Sequence, residues 1–521
     1  MIRVIFTSKK QSMKQLILFF LSISLFVNAQ TTLIKTQNGS IQGSTNADKS
    51  VRIFKGIPFA APPVGNLRWK APQPVNNWKG VKQCTEFQAS PIQNKPAPFY
   101  CWTEEFIAQP EPLSEDCLYL NVWTAAKNKT EKRPVLVWIY GGGLNSGSAN
   151  CAIYDGEEMA KKGLVFVSIN YRVGVMGFMA HPELTKESGY NSSGNYGFLD
   201  QMAALQWVQK NIATFGGDPN NVTIAGQSAG SFSVNALIAS PLAKGLFHKA
   251  IAQSGGLLSR MLSQDLAKSE KQGELFMQQA GVNSLAELRQ KSASELQELS
   301  NNQTVGRFGV TFDGYVLPTD LITHFKQGRQ NQVPIMTGWV TGDGSFLGNN
   351  AMSVEAYKNE AKSTYGEKAD EFLSLFPANS DDEVQTAKKK LTLLGFAGMP
   401  AHLLAGFNRQ PSYLYQFSHV PVDKPNFPNY GAFHTSEVPF SLHTLHTWNR
   451  PWRASDKTVE NTMSSYWVNF AKTGNPNGEN LPTWNTYNKQ TGAILSINEK
   501  TNLEMGLFKK EFDFLEMNQK N

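Results

Sequence analysis

Val222-Thr-Ile-Ala-Gly-Gln-Ser-Ala-Gly230 combines an apolar run with a serine between small residues, and this combination indicates the architecture of the chain. Its first four residues form an apolar run with the composition of a buried strand, and the apolar segment Ser231–Ala239 that follows is typical of a helix. The small residues on both sides of Ser228 allow a tight turn from strand to helix, which pushes the serine hydroxyl out of the sheet. A glycine-rich turn whose serine only caps the helix is the alternative for the pentapeptide taken alone.

Several other short apolar runs have the pattern of strands that are buried on both faces. The segment 199–212 lies between two such runs and places most of its apolar side chains on one helical stripe. Strand, helix and strand in this order predict an α/β fold, with a large mostly parallel central sheet and helices on both faces. The runs are Val135–Tyr140, Val165–Tyr171, Ala250–Ala252, Val333–Met336 and Tyr413–Phe417.

Two segments, 262–305 and 350–395, are rich in Ala, Glu, Gln, Lys and Leu. This composition predicts amphipathic helices inserted among the strands, which would cap the sheet. Nothing between residue 32 and about residue 510 resembles a flexible linker. We therefore expect a single domain over residues 30–521 that carries both insertions, with two domains as the alternative.

The N-terminus has the pattern of a secretory signal peptide over residues 1–29. Four basic side chains precede the apolar run 16–27, which is followed by a Val-x-Ala cleavage site. The run has 12 residues, which is short of the roughly 20 that span a bilayer. We therefore expect no stable membrane anchor, and a protein that is secreted or periplasmic after cleavage near Ala29.

Composition and charge exclude several classes of protein. With 41% hydrophobic and 17% charged residues, the chain has too much apolar material for a disordered or coiled-coil protein. Removal of the predicted signal peptide takes away four basic and no acidic residues, which lowers the formal net charge from +7 to +3. We therefore expect no nucleic-acid partner.

Ser228 implies two further side chains, because a serine hydroxyl is a weak nucleophile at neutral pH and needs a base and an acid that orients the base. In this architecture the chain order is serine, acid, histidine. Asp343, in a glycine-bearing loop just beyond the run 333–336, is the preferred acid, whereas Asp313 precedes a glycine and has the pattern of a turn residue. His434, in a loop after the run ending at Phe417, is the candidate base. The other histidines late enough in the chain are His402, His419, His443 and His446.

A second glycine cluster, Gly141-Gly142-Gly143, follows the predicted strand Val135–Tyr140. Three glycines let the backbone approach a substrate and turn its N–H groups towards one point, as an oxyanion hole requires. The N–H of Ala229, at the start of the predicted helix, is a further donor. A phosphate-binding loop is excluded here because no Gly-Lys-Ser/Thr ending follows the glycines.

These pieces together resemble the type-B carboxylesterases, a family of α/β-hydrolases that includes cholinesterases and some lipases. The resemblance covers nearly the whole chain after residue 29, and six motifs of the family occur here in the family's order. They are Phe54–Trp69, Ser114–Val122, Asn170–Gly174, Phe215–Gly230, Ala250–Gly255 and Val468–Asn477.

The resemblance implies a carboxylic-ester hydrolase with the α/β-hydrolase fold and no metal or organic cofactor. It implies Ser228 as nucleophile, His434 as base and Asp343 as acid, and assigns the oxyanion hole to the N–H groups of Gly142, Gly143 and Ala229. The expected partner is a small-molecule ester.

The four cysteines lack the spacing of a zinc site, and an exported chain meets oxidising conditions, so disulfides are expected. The resemblance implies a bridge between Cys84 and Cys117, and an ion pair between Arg68 and Glu115 beside it. Cys101 and Cys151 then remain, and a bridge between them is a hypothesis that the resemblance does not supply.

The sequence departs from the family at two positions of the site. The acid is Asp343 where glutamate is more common, and Gln227 replaces a common glutamate beside the nucleophile. The neutral Gln227 weakens the case for a cationic substrate, and 104–112 contains no Trp, although Trp102 lies just before it. The expected ester is small, aryl or carbohydrate-linked, and a binding protein with an inactive site is the rival function.

Overall fold

The computed structural model describes residues 32–258, 263–347 and 351–518. The predicted signal peptide at residues 1–29 lies outside the described residues, as do single residues at the edges of the two predicted insertions.

A central sheet of eleven strands, numbered β1 to β11 in chain order, runs through the described part of the chain. Its spatial order is β11-β10-β9-β8-β7-β6-β4-β5-β3-β2-β1. The strands β4 to β10 form a block in which neighbouring strands are parallel. The strands on either side of this block pair antiparallel. The strands are Ser44–Thr45, Arg52–Pro58, Tyr119–Thr124, Arg133–Ile139, Val165–Ile169, Gly217–Gln227, Lys249–Gln253, Ile335–Val340, Ser412–Phe417, Ala493–Ile497 and Asn502–Met505.

Both faces of the central strands are covered. Every residue of β5, β7, β8, β9 and β10 is buried. Because successive side chains of a strand point to opposite faces, burial at every position requires packing on both sides of the sheet. The predicted α/β fold, with a large mostly parallel sheet and surrounding helices, is confirmed.

The strand predicted at 333–336 is shifted along the chain. It begins at Ile335 and continues to Val340. Pro334 carries no N–H and cannot donate to the ladder, whereas the residues up to Val340 pair with β9 as far as Phe417. The loop that carries Asp343 therefore begins closer to the acid than the sequence indicated.

Sixteen α-helices, numbered α1 to α16 in chain order, lie within the described residues. Three of them fill the segment 266–300 and three more the segment 354–393, where the composition predicted helices. The organisation as one domain remains a prediction. The helices are Glu157–Lys161, Gly174–Phe178, Pro182–Glu187, Tyr196–Asn211, Ala229–Ala239, Leu266–Gln279, Leu285–Gln290, Ala293–Ser300, Leu321–Lys326, Val354–Tyr365, Ala369–Leu375, Asp381–Leu393, Met399–Phe407, Val438–Ser441, Ala454–Thr473 and Lys509–Met517.

Further short strands lie outside the central sheet. Leu33–Lys35, Ser40–Gln42 and Val81–Gln83 form a small sheet, and two further pairs join Ser90–Pro91 with Leu113–Ser114 and Ser263–Asp265 with Val310–Phe312. In the residues that the structure describes, no helix is both long and apolar enough to cross a membrane.

The parallel block of the sheet gathers the loops that carry the candidate residues. The strands β4, β6, β8 and β9 run in the same direction, so the loops that follow them leave from the same edge. These loops hold the glycine cluster after β4, Ser228 after β6, Asp343 after β8 and His434 after β9.

Candidate active site

Ser228 lies at a sharp turn between β6 and α5. Its backbone has φ +59° and ψ −122°, an unusual conformation for a residue with a side chain. The turn requires the flanking glycines: a Cβ at Gly226 would lie 2.5 Å from the carbonyl oxygen of Gly230, and a Cβ at Gly230 would lie 2.1 Å from that of Ile139. The side chain of Ser228 is only half-buried, so the turn presents the hydroxyl at the sheet edge.

Asp343 is held by its backbone surroundings just beyond β8. Its Oδ2 atom accepts the N–H of Val340 at 3.0 Å. The preceding Gly342 pairs with Phe433 in an isolated parallel bridge, in which its N–H donates to the carbonyl oxygen of Ala432 at 2.9 Å. This bridge joins the loop of the acid to the loop of the histidine.

His434 faces Asp343 across that bridge. Its Nδ1 atom lies 2.5 Å from Oδ1 of Asp343, and both side chains are buried. Three aromatic rings surround the imidazole: those of Phe346, Phe396 and Trp102, with centroids 4.8, 5.3 and 6.2 Å from it. The apolar walls and the carboxylate together fix the orientation of the ring.

Gln227 connects the serine turn to the histidine loop. Its Nε2 atom lies 3.3 and 3.4 Å from Nε2 and Nδ1 of His434, and its Oε1 atom accepts the hydroxyl of Thr435 at 3.2 Å. Since Gln227 immediately precedes Ser228, these contacts bring the serine turn against the loop of His434.

The glycine cluster lies against the serine turn. A Cβ at Gly141 would lie 3.0 Å from Cβ of Ser228 and 2.8 Å from the carbonyl oxygen of Gln227. Gly142 and Gly143 have φ +105° and +63°, which L side chains rarely adopt. Within the described residues, the N–H groups of Gly142, Gly143 and Ala229 donate to no protein acceptor. They are therefore available to a bound ligand.

Glu437 is a buried acid that the sequence analysis did not single out. Its carboxyl oxygens accept hydrogen bonds from the hydroxyls of Ser254 at 3.0 Å and Tyr415 at 2.8 Å. Burial, and after it the negative charge of Asp343, raise the pKa of Glu437 to about 8. The carboxyl group is therefore mostly protonated at neutral pH. The position of this glutamate, three residues after the candidate histidine, is the sequence signal that could have pointed to it.

The rival candidates lie in other environments. Oδ1 of Asp313 accepts the N–H groups of three successive residues, 315–317, and its Oδ2 accepts the hydroxyl of Ser192, an arrangement that closes a turn. His419 faces the buried carboxylate of Asp456 at 2.8 Å. The remaining late histidines have other partners or positions: His402 contacts Tyr487 and Glu516, His443 contacts Ser464, and His446 lies in a short helical turn.

Arg68 and Glu115 form a two-pronged ion pair. Nε of Arg68 lies 2.6 Å from Oε1 of Glu115, and the second prong, to Oε2, has the same length. The four cysteines, Cys84, Cys101, Cys117 and Cys151, are buried thiols in the structure, so neither predicted bridge is formed there. Their pairing stays a prediction.

In residues 32–258, 263–347 and 351–518, no group of three or more His, Cys, Asp or Glu side chains could hold a metal ion.

Comparison with known proteins gives one family. The sequence profile of the carboxylesterase family matches residues 30–515. The chain is 34% identical to the fumonisin B1 esterase of Sphingopyxis macrogoltabida over 493 residues, which cover 91% of this chain and 87% of that protein. It is 33% identical to the para-nitrobenzyl esterase of Bacillus subtilis (strain 168), over 91% of this chain and 96% of that protein.

The solved structure of a PNB esterase superposes with a TM-score of 0.79 at 30% identity, over 92% of this chain and 99% of that one. The match to a PNB esterase also identifies the central sheet as that of an α/β-hydrolase. The chain therefore belongs to the carboxylesterase family, the type-B carboxylesterases, and is a carboxylic ester hydrolase.

Proposed function

We propose that this protein is a secreted serine esterase, in which Ser228 attacks the ester, His434 is the general base and Asp343 orients the histidine. The observation that carries the proposal is the 2.5 Å contact between Nδ1 of His434 and Oδ1 of Asp343. A carboxylate beside Nδ1 favours the tautomer that carries its proton on Nδ1, so the lone pair of Nε2 is the one that can accept the serine proton. The contacts of Gln227 join this pair to the serine turn.

The proposed reaction is a two-step acyl transfer. His434 takes the proton of the Ser228 hydroxyl as its oxygen bonds to the ester carbonyl carbon. The N–H groups of Gly142, Gly143 and Ala229 bind the oxyanion of the tetrahedral intermediate. The intermediate collapses, the C–O bond to the alcohol breaks, and His434 returns the proton to that alcohol. Water then attacks the acyl-enzyme by the same route, which releases the acid and restores the Ser228 hydroxyl.

The proposed substrate is a small, aryl or carbohydrate ester without a cationic group. The rings of Phe346, Phe396 and Trp102 around His434 give the site apolar, aromatic walls. Aromatic side chains stack on planar rings and on the apolar faces of sugars. Gln227 adds no charge next to the nucleophile, so nothing at that position favours a quaternary ammonium group.

We further propose export with cleavage near Ala29, and disulfides between Cys84 and Cys117 and between Cys101 and Cys151. Burial raises the pKa of Cys84 to about 11 and that of Cys101 to about 12. The folded thiols are therefore poorly reactive, and the bridges would form during folding in an oxidising compartment. Peptide mapping under non-reducing conditions checks the pairing, and free thiols at Cys101 and Cys151 would eliminate the second bridge. Mass analysis of the exported protein locates its N-terminus, and a retained Met1 would contradict export with cleavage.

A fluorophosphonate probe tests the catalytic assignment. The probe phosphonylates activated serines, so we expect one modified peptide, which carries Ser228, and no labelling of Ser228→Ala. Heat-denatured protein is the control for non-specific reaction. Hydrolysis rates for p-nitrophenyl acetate, a feruloyl ester, an acetylated sugar and a long-chain acyl ester then rank the substrate classes. Labelling at a different serine would contradict the proposed nucleophile.

A further inference from the structure

Trp102 contacts the backbone of the candidate base from a distant part of the chain. Its indole N–H is shared between the carbonyl oxygen of His434 and the hydroxyl oxygen of Thr435, each at 3.1 Å. Its ring also meets the imidazole of His434 edge to face, at 6.2 Å and 88°. The indole therefore fixes both the peptide that carries the histidine and one side of its ring.

Thr435 needs such a support. Its φ is +87°, a conformation that is unfavourable for a β-branched residue and persists only where neighbours hold it. Its hydroxyl accepts from Trp102 and donates to Oε1 of Gln227 at 3.2 Å. A chain of hydrogen bonds thus runs from Trp102 through Thr435 to Gln227, the neighbour of Ser228.

The turn that carries Trp102 is fastened to the histidine loop. Two backbone hydrogen bonds between Phe99 and Trp102, of 3.1 and 2.9 Å, close the turn. Tyr100 at its tip packs on Tyr430, four residues before His434, with ring centroids 4.6 Å apart. Phe99 and Tyr100 are 61% and 44% exposed, whereas the indole between them and the imidazole is half-buried. The turn therefore has an outer aromatic surface and an inner contact with the base.

We propose that Trp102 is a positioning residue of the active site. Its N–H holds the His434–Thr435 peptide in the strained conformation that directs the imidazole between Asp343 and the serine turn. The inference rests on the proposed function of His434 as the general base. It gives a role in the reaction to the turn Phe99–Trp102, which lies before the proposed nucleophile, acid and base in the chain.

The variant Trp102→Phe tests the proposal, because it keeps a ring and removes the N–H. We expect kcat for p-nitrophenyl acetate to fall by about tenfold or more, as for an interaction worth roughly 1.4 kcal/mol in the transition state. We expect KM to change little, and the pH dependence of kcat to shift because the environment of the imidazole changes. We also expect the low-field proton NMR signal of the hydrogen between His434 and Asp343 to move.

Trp452→Phe is the matched control. The indole N–H of Trp452 also donates to two backbone carbonyl oxygens, those of Leu445 at 2.9 Å and Trp448 at 3.2 Å, but makes no contact with His434. Both variants lose an indole hydrogen bond, so a purely structural role predicts similar melting temperatures and an unchanged pH profile in both. Equal kinetics and spectra for the two variants would overturn the proposal.

A second variant keeps the test decisive if Trp102→Phe does not fold. Thr435→Ala removes the middle of the hydrogen-bond chain, and we expect it to lower kcat and to move the same low-field signal. Unchanged kcat and signal in Thr435→Ala would also overturn the proposal. Labelling of the wild-type protein by the fluorophosphonate distinguishes the proposed function from the role of Trp102. If Ser228 is not labelled, the proposed function fails. If Ser228 is labelled but the variants have unaltered kinetics, only the role of Trp102 is refuted.

Discussion

Both carboxylate oxygens of Asp343 are engaged, Oδ1 by Nδ1 of His434 at 2.5 Å and Oδ2 by the N–H of Val340 at 3.0 Å. The second bond prevents the carboxylate from rotating away from the histidine. In the proposed triad the backbone compensates for the short side chain of Asp343, because the bridge between Gly342 and Phe433 brings the loop of the acid close to the histidine loop.

Asp343→Asn should lower kcat for p-nitrophenyl acetate by roughly three to four orders of magnitude. The amide can donate to Nδ1 of His434 and so stabilise the tautomer that cannot accept the serine proton. Asp313→Asn is the control, since Oδ1 of Asp313 closes a turn through three backbone N–H groups that an amide oxygen also accepts. It should keep kcat and lose only some thermal stability. The reverse ranking in steady-state kinetics would show that Asp313 is the acid.

Gly143→Ala should impair catalysis beyond its effect on stability. A Cβ at Gly143 meets no atom within 4 Å, so the substitution costs mainly the strain of φ +63°, about 1 kcal/mol. We expect kcat/KM to fall by about tenfold or more, because the strained backbone turns the N–H away from the proposed oxyanion. Gly65→Ala, at an exposed glycine with φ +56° and equal space, is the matched control. If both variants keep full activity at equal loss of melting temperature, Gly143 has no part in the oxyanion hole.

Glu437→Gln should remove a pH dependence of stability. The pKa of Glu437 is raised from 4.5 to about 8 in the folded protein. The stabilising contribution of Glu437 to the free energy of unfolding is therefore fully present below about pH 4.5 and is lost as the pH rises through 8. A glutamine stays neutral at every pH. The unfolding free energy of the wild type relative to the variant should therefore decrease from pH 5 to pH 9, as measured by urea titration. A difference that is constant over this range would mean that Glu437 does not titrate as expected.

Glu115→Ala should destabilise the fold by about 3 kcal/mol or more, because it leaves the buried guanidinium of Arg68 without its carboxylate. Two backbone carbonyl oxygens, of Arg289 and Lys291, still accept from Arg68 and limit the loss. Glu274→Ala breaks the exposed pair with Lys271 and should cost no more than about 1 kcal/mol. Urea unfolding of both variants checks the ranking, and equal losses would contradict a structural role for the Arg68 pair.

The serine turn was predictable because its geometry is local. Gly226 and Gly230 are needed because a Cβ at either position would meet a backbone oxygen. The five residues 226–230 are therefore enough to recognise the turn. The parallel strands were predictable for a similar reason, since burial on both faces leaves near-continuous apolar runs. Element ends were less accurate, as at Pro334, where the missing N–H moved the start of β8 to Ile335.

The surroundings of His434 were not predictable in the same way. Trp102 and Gln227 reach it from positions 332 and 207 residues away, and Glu437 became notable only when burial and Asp343 raised its pKa. The sequence shows how far apart the four cysteines lie along the chain, but not how far apart they lie in space. In the structure they are thiols.

The order of the strands and helices, and the chemical types of the residues at their ends, could be inferred from the sequence, because backbone preference and apolar patterning act over a few neighbouring residues. Which of those residues contact one another depends on the folding of the whole chain. A hydrogen bond tolerates a few tenths of an ångström, and that precision depends on how distant strands and loops pack together.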